Sequence, residues 1–192
     1  MNNYKKNVKL LERNHVYSEE MEHDACGVGL IASTEGKKSR QIVEYGIEAL
    51  KAVWHRGAVD ADGKTGDGAG IHLEIPKDFF IEKIEVTGHK YDNAEICVGM
   101  IFLPRNDYAS QENCKTIVES ELTKNNFNIY GWRQVPVNPK VLGEKAFQTM
   151  PEIIQVLFKS NDKDLLNKNL ERKIYETRRK IENNAFRSSL NN

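Results

Sequence analysis

The residue of this sequence best placed to do chemistry is Cys26. It follows a polar, charged leader, and Gly27 and Gly29 beside it let other backbone approach closely. A cysteine at the head of an apolar run is also an ordinary small core residue, and position alone leaves both readings open. A cut between Ala25 and Cys26 changes the chemistry, because the new N-terminus carries an α-amine and a thiol on one residue. Such an amine titrates near ~7.7–8.0 and a free thiol near ~8.5, so the amine can act as base at neutral pH. It takes the thiol proton as sulfur attacks a carbonyl carbon, and no separate histidine is required.

The elements around this residue must position it. Residues 26–32, Cys-Gly-Val-Gly-Leu-Ile-Ala, predict a buried strand of small and branched residues. Residues 39–55 predict a helix with Ile42, Val43, Ile47, Leu50 and Trp54 on one face, stopped at Gly57. A loop with Gly63, Gly66, Gly68 and Gly70 then leads into a predicted strand at 71–75, ended by Pro76. The apolar run at 96–103 suits a strand covered on both faces. Asn106 or Asp107 is placed to cap a helix through about residue 122, and strands are expected at 127–135 and 153–158. A charged helix over 162–183 would turn Leu165, Leu166, Leu170, Ile174 and Ile181 inward. The order strand, helix, strand, strand, helix, strand, strand, helix predicts an α+β fold.

Two motif readings fail on context. Gly63-Lys64-Thr65 looks like the end of a phosphate loop, but five residues separate it from Gly57 where four are needed, and a helix precedes it. Gly27 to Ala32 has dinucleotide-fingerprint spacing, yet a polar leader precedes it and a strand-like run follows. The five histidines never pair at metal-ligand spacing, and His23 with Cys26 finds no second pair for a zinc site, so no metal is expected.

Composition narrows the class further. The 192 residues carry 28 basic and 28 acidic side chains, which gives no footprint for nucleic acid or a membrane surface. Three cysteines without Cys-x-x-Cys spacing argue against a disulfide framework and for a reducing, cytoplasmic setting. The basic N-terminus is not followed by the apolar stretch of about 7–15 residues that a secretory signal requires, and no run approaches the ~18 apolar residues of a membrane span.

His23-Asp24-Ala25-Cys26-Gly27-Val28-Gly29 resembles the processing site of class II glutamine amidotransferases of the glutamate synthase type. His55-Arg56-Gly57-Ala58 is similar to the arginine-glycine motif beside the cysteine in those domains, and Ala61 to Gly70 looks like the glycine-rich loop of glutamate synthases in particular. Val98 to Leu103, Gly131 to Pro136 and Arg172 to Tyr175 keep the family's order, so the resemblance runs from about residue 20 to the end. It implies an N-terminal nucleophile hydrolase-type αββα sandwich, a propeptide-like leader at 1–25 and the front part of the amidotransferase domain at 26–192. It also implies hydrolysis of L-glutamine to L-glutamate and ammonia through a thioester on Cys26. Arg56 would order the cysteine's surroundings, although an arginine at a helix C-terminus is equally favoured by the helix dipole. Gly66, Asp67 and Gly68 would form a loop near the site, with Asp67 as a turn former. FMN, an iron–sulfur cluster, the remaining domains of the large subunit and a small subunit are implied for the complete family protein, and no cofactor for this chain.

The family's Asn-Gly oxyanion pair and its substrate-binding arginine are expected beyond Asn192, and the sequence holds no Asn-Gly dipeptide. The expectation is therefore an incomplete sandwich with exposed sheet face and open edges. Loss of an oxyanion donor costs about 10²–10³ in rate, so the chain by itself is not expected to be a competent glutaminase. Two alternatives stay open: a catalytically silent remnant or partner-binding module, and another class II amidotransferase, against which the 62–70 loop argues.

Overall fold

The computed structural model describes residues 27–162 and 168–190. Cys26, the leader, Leu165 and Leu166 lie outside the described residues. The fold mixes helices with a small antiparallel sheet, and the described residues divide into two compact units, 27–73 with 142–145 and 74–141 with 146–162 and 168–190.

In the first unit, α1 (Arg40–Ala52) begins at Ser39, whose side chain accepts from the Ile42 N–H. Ser39 is thus an N-cap that satisfies one of the helix's orphan donors. The helix passes into a 3₁₀ turn, Trp54–Arg56, closed by the Gly57 N–H donating to the Trp54 carbonyl at 2.9 Å. Ile42, Val43, Ile47 and Leu50 are half-buried as the apolar stripe predicts, but Trp54 is 75% exposed. The strands expected at 26–32 and 71–75 are not formed among the described residues. Val28 and Leu30 are exposed, as are Ile71, Leu73 and Ile75. An apolar run becomes a strand only where a neighbour completes its hydrogen-bond ladder, and none of the described strands pairs with either segment.

The second unit is built on a three-stranded sheet in the order β1–β3–β2, where β1 is Cys97–Leu103, β2 is Phe127–Gln134 and β3 is Glu152–Ser160. Both pairings are antiparallel, with Gly99 opposite Val156 on one side and Trp132 opposite Val156 on the other. Central β3 is buried continuously from Ile154 to Phe158, as a strand covered on both faces must be. Val156 and Phe158 meet α3 (Tyr108–Lys124) and α5 (Lys168–Leu190) through Val118, Leu122 and Leu170. Leu157, on the opposite face, meets Phe80 and Ile84 of α2 (Lys77–Val86). The apolar-run argument does not find α2, because its ten residues alternate charge and apolar character too quickly for a clear stripe. The short α4 (Glu144–Thr149) likewise carries no pattern long enough to read.

Asp107 caps α3, accepting from the Ser110 N–H at 3.0 Å and its hydroxyl at 2.6 Å. β2 bulges at Tyr130, so that Ile129 faces Phe158 and Gly131 faces Leu157. The extra residue leaves glycine opposite Leu157 and brings Trp132 onto the same face as Ile129, while Tyr130 packs with α2 on the other. Gly131 has φ 149°, and a Cβ there would sit 2.8 Å from Thr87 at the end of α2, so no other residue fits without displacing that helix. β1 departs from expectation on one face. Met100 and Phe102 share the alternation of Val98 but are 49% and 63% exposed, because α2 covers the other end of that face.

Tyr130 donates to Asp92 at 2.6 Å, and Lys159 pairs with the same carboxylate. The Lys159 hydrogen bond, then the one from Tyr130, lower the Asp92 pKa from 3.8 to about 2. The charged form is favoured by folding, so this contribution is present above pH ~4 and disappears as pH falls toward 2. Replacing Asp92 with Asn is expected to flatten the acid limb of a stability-against-pH profile over that window. Leu157→Ala is expected to cost about 2–5 kcal/mol in denaturant unfolding, and Phe102→Ala less than about 1 kcal/mol. Equal losses at the two positions would contradict this assignment of the core.

Candidate active-site cleft

Among the described residues, a cleft of about 300 Å³ lies in the first unit. Its walls come from Gly27, from the end of α1 (Leu50 and Val53), from the Trp54–Gly57 turn and from the glycine-rich loop at Gly66, Asp67 and Gly68. Arg56, Gly66, Asp67 and Gly68, singled out in the sequence, therefore line one cavity together with the residue that follows Cys26. Gly27 is packed closely here. A Cβ on it would stand 3.3 Å from the Val53 side chain and 3.8 Å from Arg56 Cδ. The Arg56 side chain is exposed and makes no ion pair or side-chain hydrogen bond among the described residues.

The far wall is a narrow, hairpin-like loop. Val59 bridges Gly66 in antiparallel fashion, and the Asp60 N–H donates to the Thr65 carbonyl at 2.7 Å. Gly63 and Gly68 adopt φ of 68° and 85°, the left-handed region in which glycine carries no Cβ penalty. Asp67 accepts from the Ala58 N–H at 2.7 Å, which ties the loop's return arm to the chain leaving Arg56 and Gly57. Sequence reasoning does not single out Asp62, the centre of the turn. Its carboxylate accepts from the Thr65 hydroxyl at 2.5 Å, the Thr65 N–H at 2.7 Å and the Lys64 N–H at 2.9 Å. The Thr65 hydroxyl, then the backbone donors of Thr65, Lys64 and Lys145, hold the Asp62 carboxyl well below the usual carboxylate range.

Two further residues arrive from a distant stretch. Lys145 donates to Asp60 at 2.6 Å. This hydrogen bond, followed by the Ala61 N–H, lowers the Asp60 pKa. Gly143 lies against the turn so closely that a Cβ would be 2.4 Å from Asp62 Oδ2 and 2.5 Å from the Thr65 nitrogen. Asp62-Gly63 is a recognisable turn pair, whereas nothing local to Gly143 or Lys145 signals their role.

Residues 26–192 match the family described as Glutamine amidotransferases class-II. The chain belongs to that family. It is 51% identical over 179 residues to the Glutamate synthase [NADPH] large chain of Azospirillum brasilense, covering 93% of this chain and 12% of that protein. It is 38% identical to the Ferredoxin-dependent glutamate synthase of Pyropia yezoensis, over 91% of this chain and 11% of the relative. Against Ferredoxin-dependent glutamate synthase 1, chloroplastic/mitochondrial, of Arabidopsis thaliana it is 40% identical, over 84% and 10%. The chain thus spans about a tenth of the length of the curated relatives it matches, and it is homologous to the amidotransferase part of glutamate synthase. No helix among the described residues is long and apolar enough to cross a membrane.

Among the described residues, the Asp67 carboxylate is the side chain that accepts from the Ala58 N–H. Asp67→Ala is expected to speed amide exchange at Ala58 by roughly tenfold, while Asp67→Asn, which keeps an acceptor oxygen, retains most of the protection. Unchanged exchange in the alanine variant would remove Asp67 from the cleft's framework.

Proposed function

We propose that this chain supplies the glutaminase chemistry of a glutamate synthase, with Cys26 as nucleophile. The observation that carries the reading is the family match, which begins at Cys26 itself; in this reading residues 1–25 are a removable leader. In this reading the freed α-amine of Cys26 takes the thiol proton, and sulfur attacks the γ-carboxamide carbon of L-glutamine. The C–N bond breaks, ammonia leaves with a proton, and a γ-glutamyl thioester remains. Water then adds to the thioester carbonyl, releasing L-glutamate and restoring the thiol. Arg56 suits an ordering role, since its stem lies beside Gly27 and its guanidinium makes no ion pair or hydrogen bond among the described residues. A cation near the thiol also favours the thiolate. Gly66, Asp67 and Gly68 form the facing wall.

The ammonia would be consumed by the remaining domains of a large subunit, which would make glutamate in the cytoplasm with a small subunit as a further partner. The FMN and iron–sulfur cluster of such an enzyme are assigned to those domains. A cluster needs several converging thiolates, and the described residues do not fit one. Cys97 is buried under α3 and α5, where burial first, then Glu95 and Glu171, push its thiol up to about 12, and no group of three metal-ligating side chains occurs among the described residues.

The test is intact-mass and peptide mapping of the native protein after exposure to a thiol-directed glutamine analogue. The expected result is an N-terminus at Cys26 and an adduct there whose formation L-glutamine slows and Cys26→Ser abolishes. Cys97 should stay unmodified near pH 8. Labelling confined to Cys114 and indifferent to L-glutamine would sink the assignment.

A further inference from the structure

The loop that forms one wall of the cleft has little to hold it in place. Residues 57–70 are almost all exposed, and five of them are glycines. No described residue between 27 and 73 is buried. Its internal hydrogen bonds are short-range and open to water, which makes each of them weak support in isolation. Among the described residues, Gly143 and Lys145 bring contacts to it from elsewhere in the sequence. Lys145 reaches Asp60 across 85 positions of chain. Gly143 presses on Thr65, the residue immediately before Gly66 of the cleft wall.

We propose that Gly143 and Lys145 are positioning residues for the cleft, clamping the Asp60–Thr65 turn so that Gly66, Asp67 and Gly68 face the reacting group at a fixed distance. The proposal rests on the reading of this cleft as the glutamine site. The steric half of the clamp is strict. A methyl group at residue 143 would fall 2.2 Å from Thr65 Oγ1 and 2.5 Å from its backbone nitrogen, so side-chain rotation alone cannot relieve it and the Thr65 backbone must move. A displacement on the order of 1 Å at a reacting site can cost about 10²-fold in rate. The electrostatic half is softer, because the Lys145–Asp60 pair is largely exposed and screened by salt. It orients the segment and adds little to overall stability.

The experiment compares Gly143→Ala, Lys145→Met and Lys145→Arg with the unmodified protein by two labelling rates at Cys26. One reagent is the glutamine analogue, whose attack depends on how the cleft holds it. The other is iodoacetamide, which reports the thiol itself. Gly143→Ala is expected to lower the analogue rate at least about tenfold while the iodoacetamide rate stays within about twofold. Lys145→Met should lower the analogue rate about threefold, and Lys145→Arg should recover it. Analogue rates within twofold of the unmodified protein in both Gly143→Ala and Lys145→Met would overturn the proposal. If Gly143→Ala does not fold, the charge exchange decides: Asp60→Lys and Lys145→Asp each slow labelling, and the double variant restores it if the clamp exists. Failure of the unmodified protein to label at Cys26 would instead defeat the glutamine reading. Amide exchange at Lys64 and Thr65 then judges the clamp alone, faster in Gly143→Ala if it stands and unchanged if it does not.

Discussion

Continuous burial of β3 from Ile154 to Phe158 is the constraint around which the second unit is arranged. A central strand with apolar side chains on both faces needs cover on both, and its backbone groups need a ladder on both edges. The ladders come from β1 and β2, and the cover comes from α3 and α5 on one side and α2 on the other. Local features follow from this. Gly99 opposes Val156, where a Cβ would come within 2.7 Å of the valine side chain, and Gly131 lets the end of α2 approach the sheet. The Tyr130 bulge shifts the alternation of β2, so that Ile129 and Trp132 share one cluster while Tyr130 packs in the other.

The first unit follows a different logic. Its cleft is framed by a turn of α1, by glycines in conformations that other residues avoid, and by carboxylates that gather backbone donors. Asp62, Asp60 and Asp67 do there what apolar packing does around β3. Hydrogen bonds from Thr65 lead at Asp62, and the one from Lys145 leads at Asp60, so both carboxyls stay charged below the ordinary range. Framing of this kind is directional, and it keeps the walls of the cleft polar and open to water.

How much of this could be read from sequence depends on whether the cause was local. Ser39 and Asp107 announce their helices because a cap acts on residues two or three positions away. β1, β2 and β3 were legible from runs of branched and aromatic residues, since their neighbours are present. The runs at 26–32 and 71–75 look the same on paper, yet they form no described strand, because pairing is a property of two segments. Met100 and Phe102 show the same limit for burial: an apolar run was read as covered on both faces, but the covering helix stops short of one end. Of the cleft walls, the arginine-glycine turn and the glycine-rich loop were visible as motifs. Gly143 and Lys145 were not, since a glycine selected by a contact from 78 or 81 positions away (143 − 65 and 143 − 62) leaves no trace in its own neighbourhood.

The surroundings of Cys97 show what a nucleophilic thiol has to avoid. Cys97 begins β1 inside the core, where burial pushes its thiol up to about 12 and makes it inert at neutral pH. A nucleophilic thiol for amide hydrolysis needs the reverse: access for substrate and water, and a neighbourhood that favours the thiolate. Gly27, next to Cys26, lies against Val53 and the stem of Arg56 in a stretch, residues 27–73, where no residue is buried. Openness of that kind removes close packing as a source of precision, yet covalent catalysis depends on holding groups to within fractions of an ångström. The precision must then come from hydrogen bonds to fixed carboxylates and from steric contacts that only glycine permits, and these are the interactions concentrated between Asp60 and Gly68.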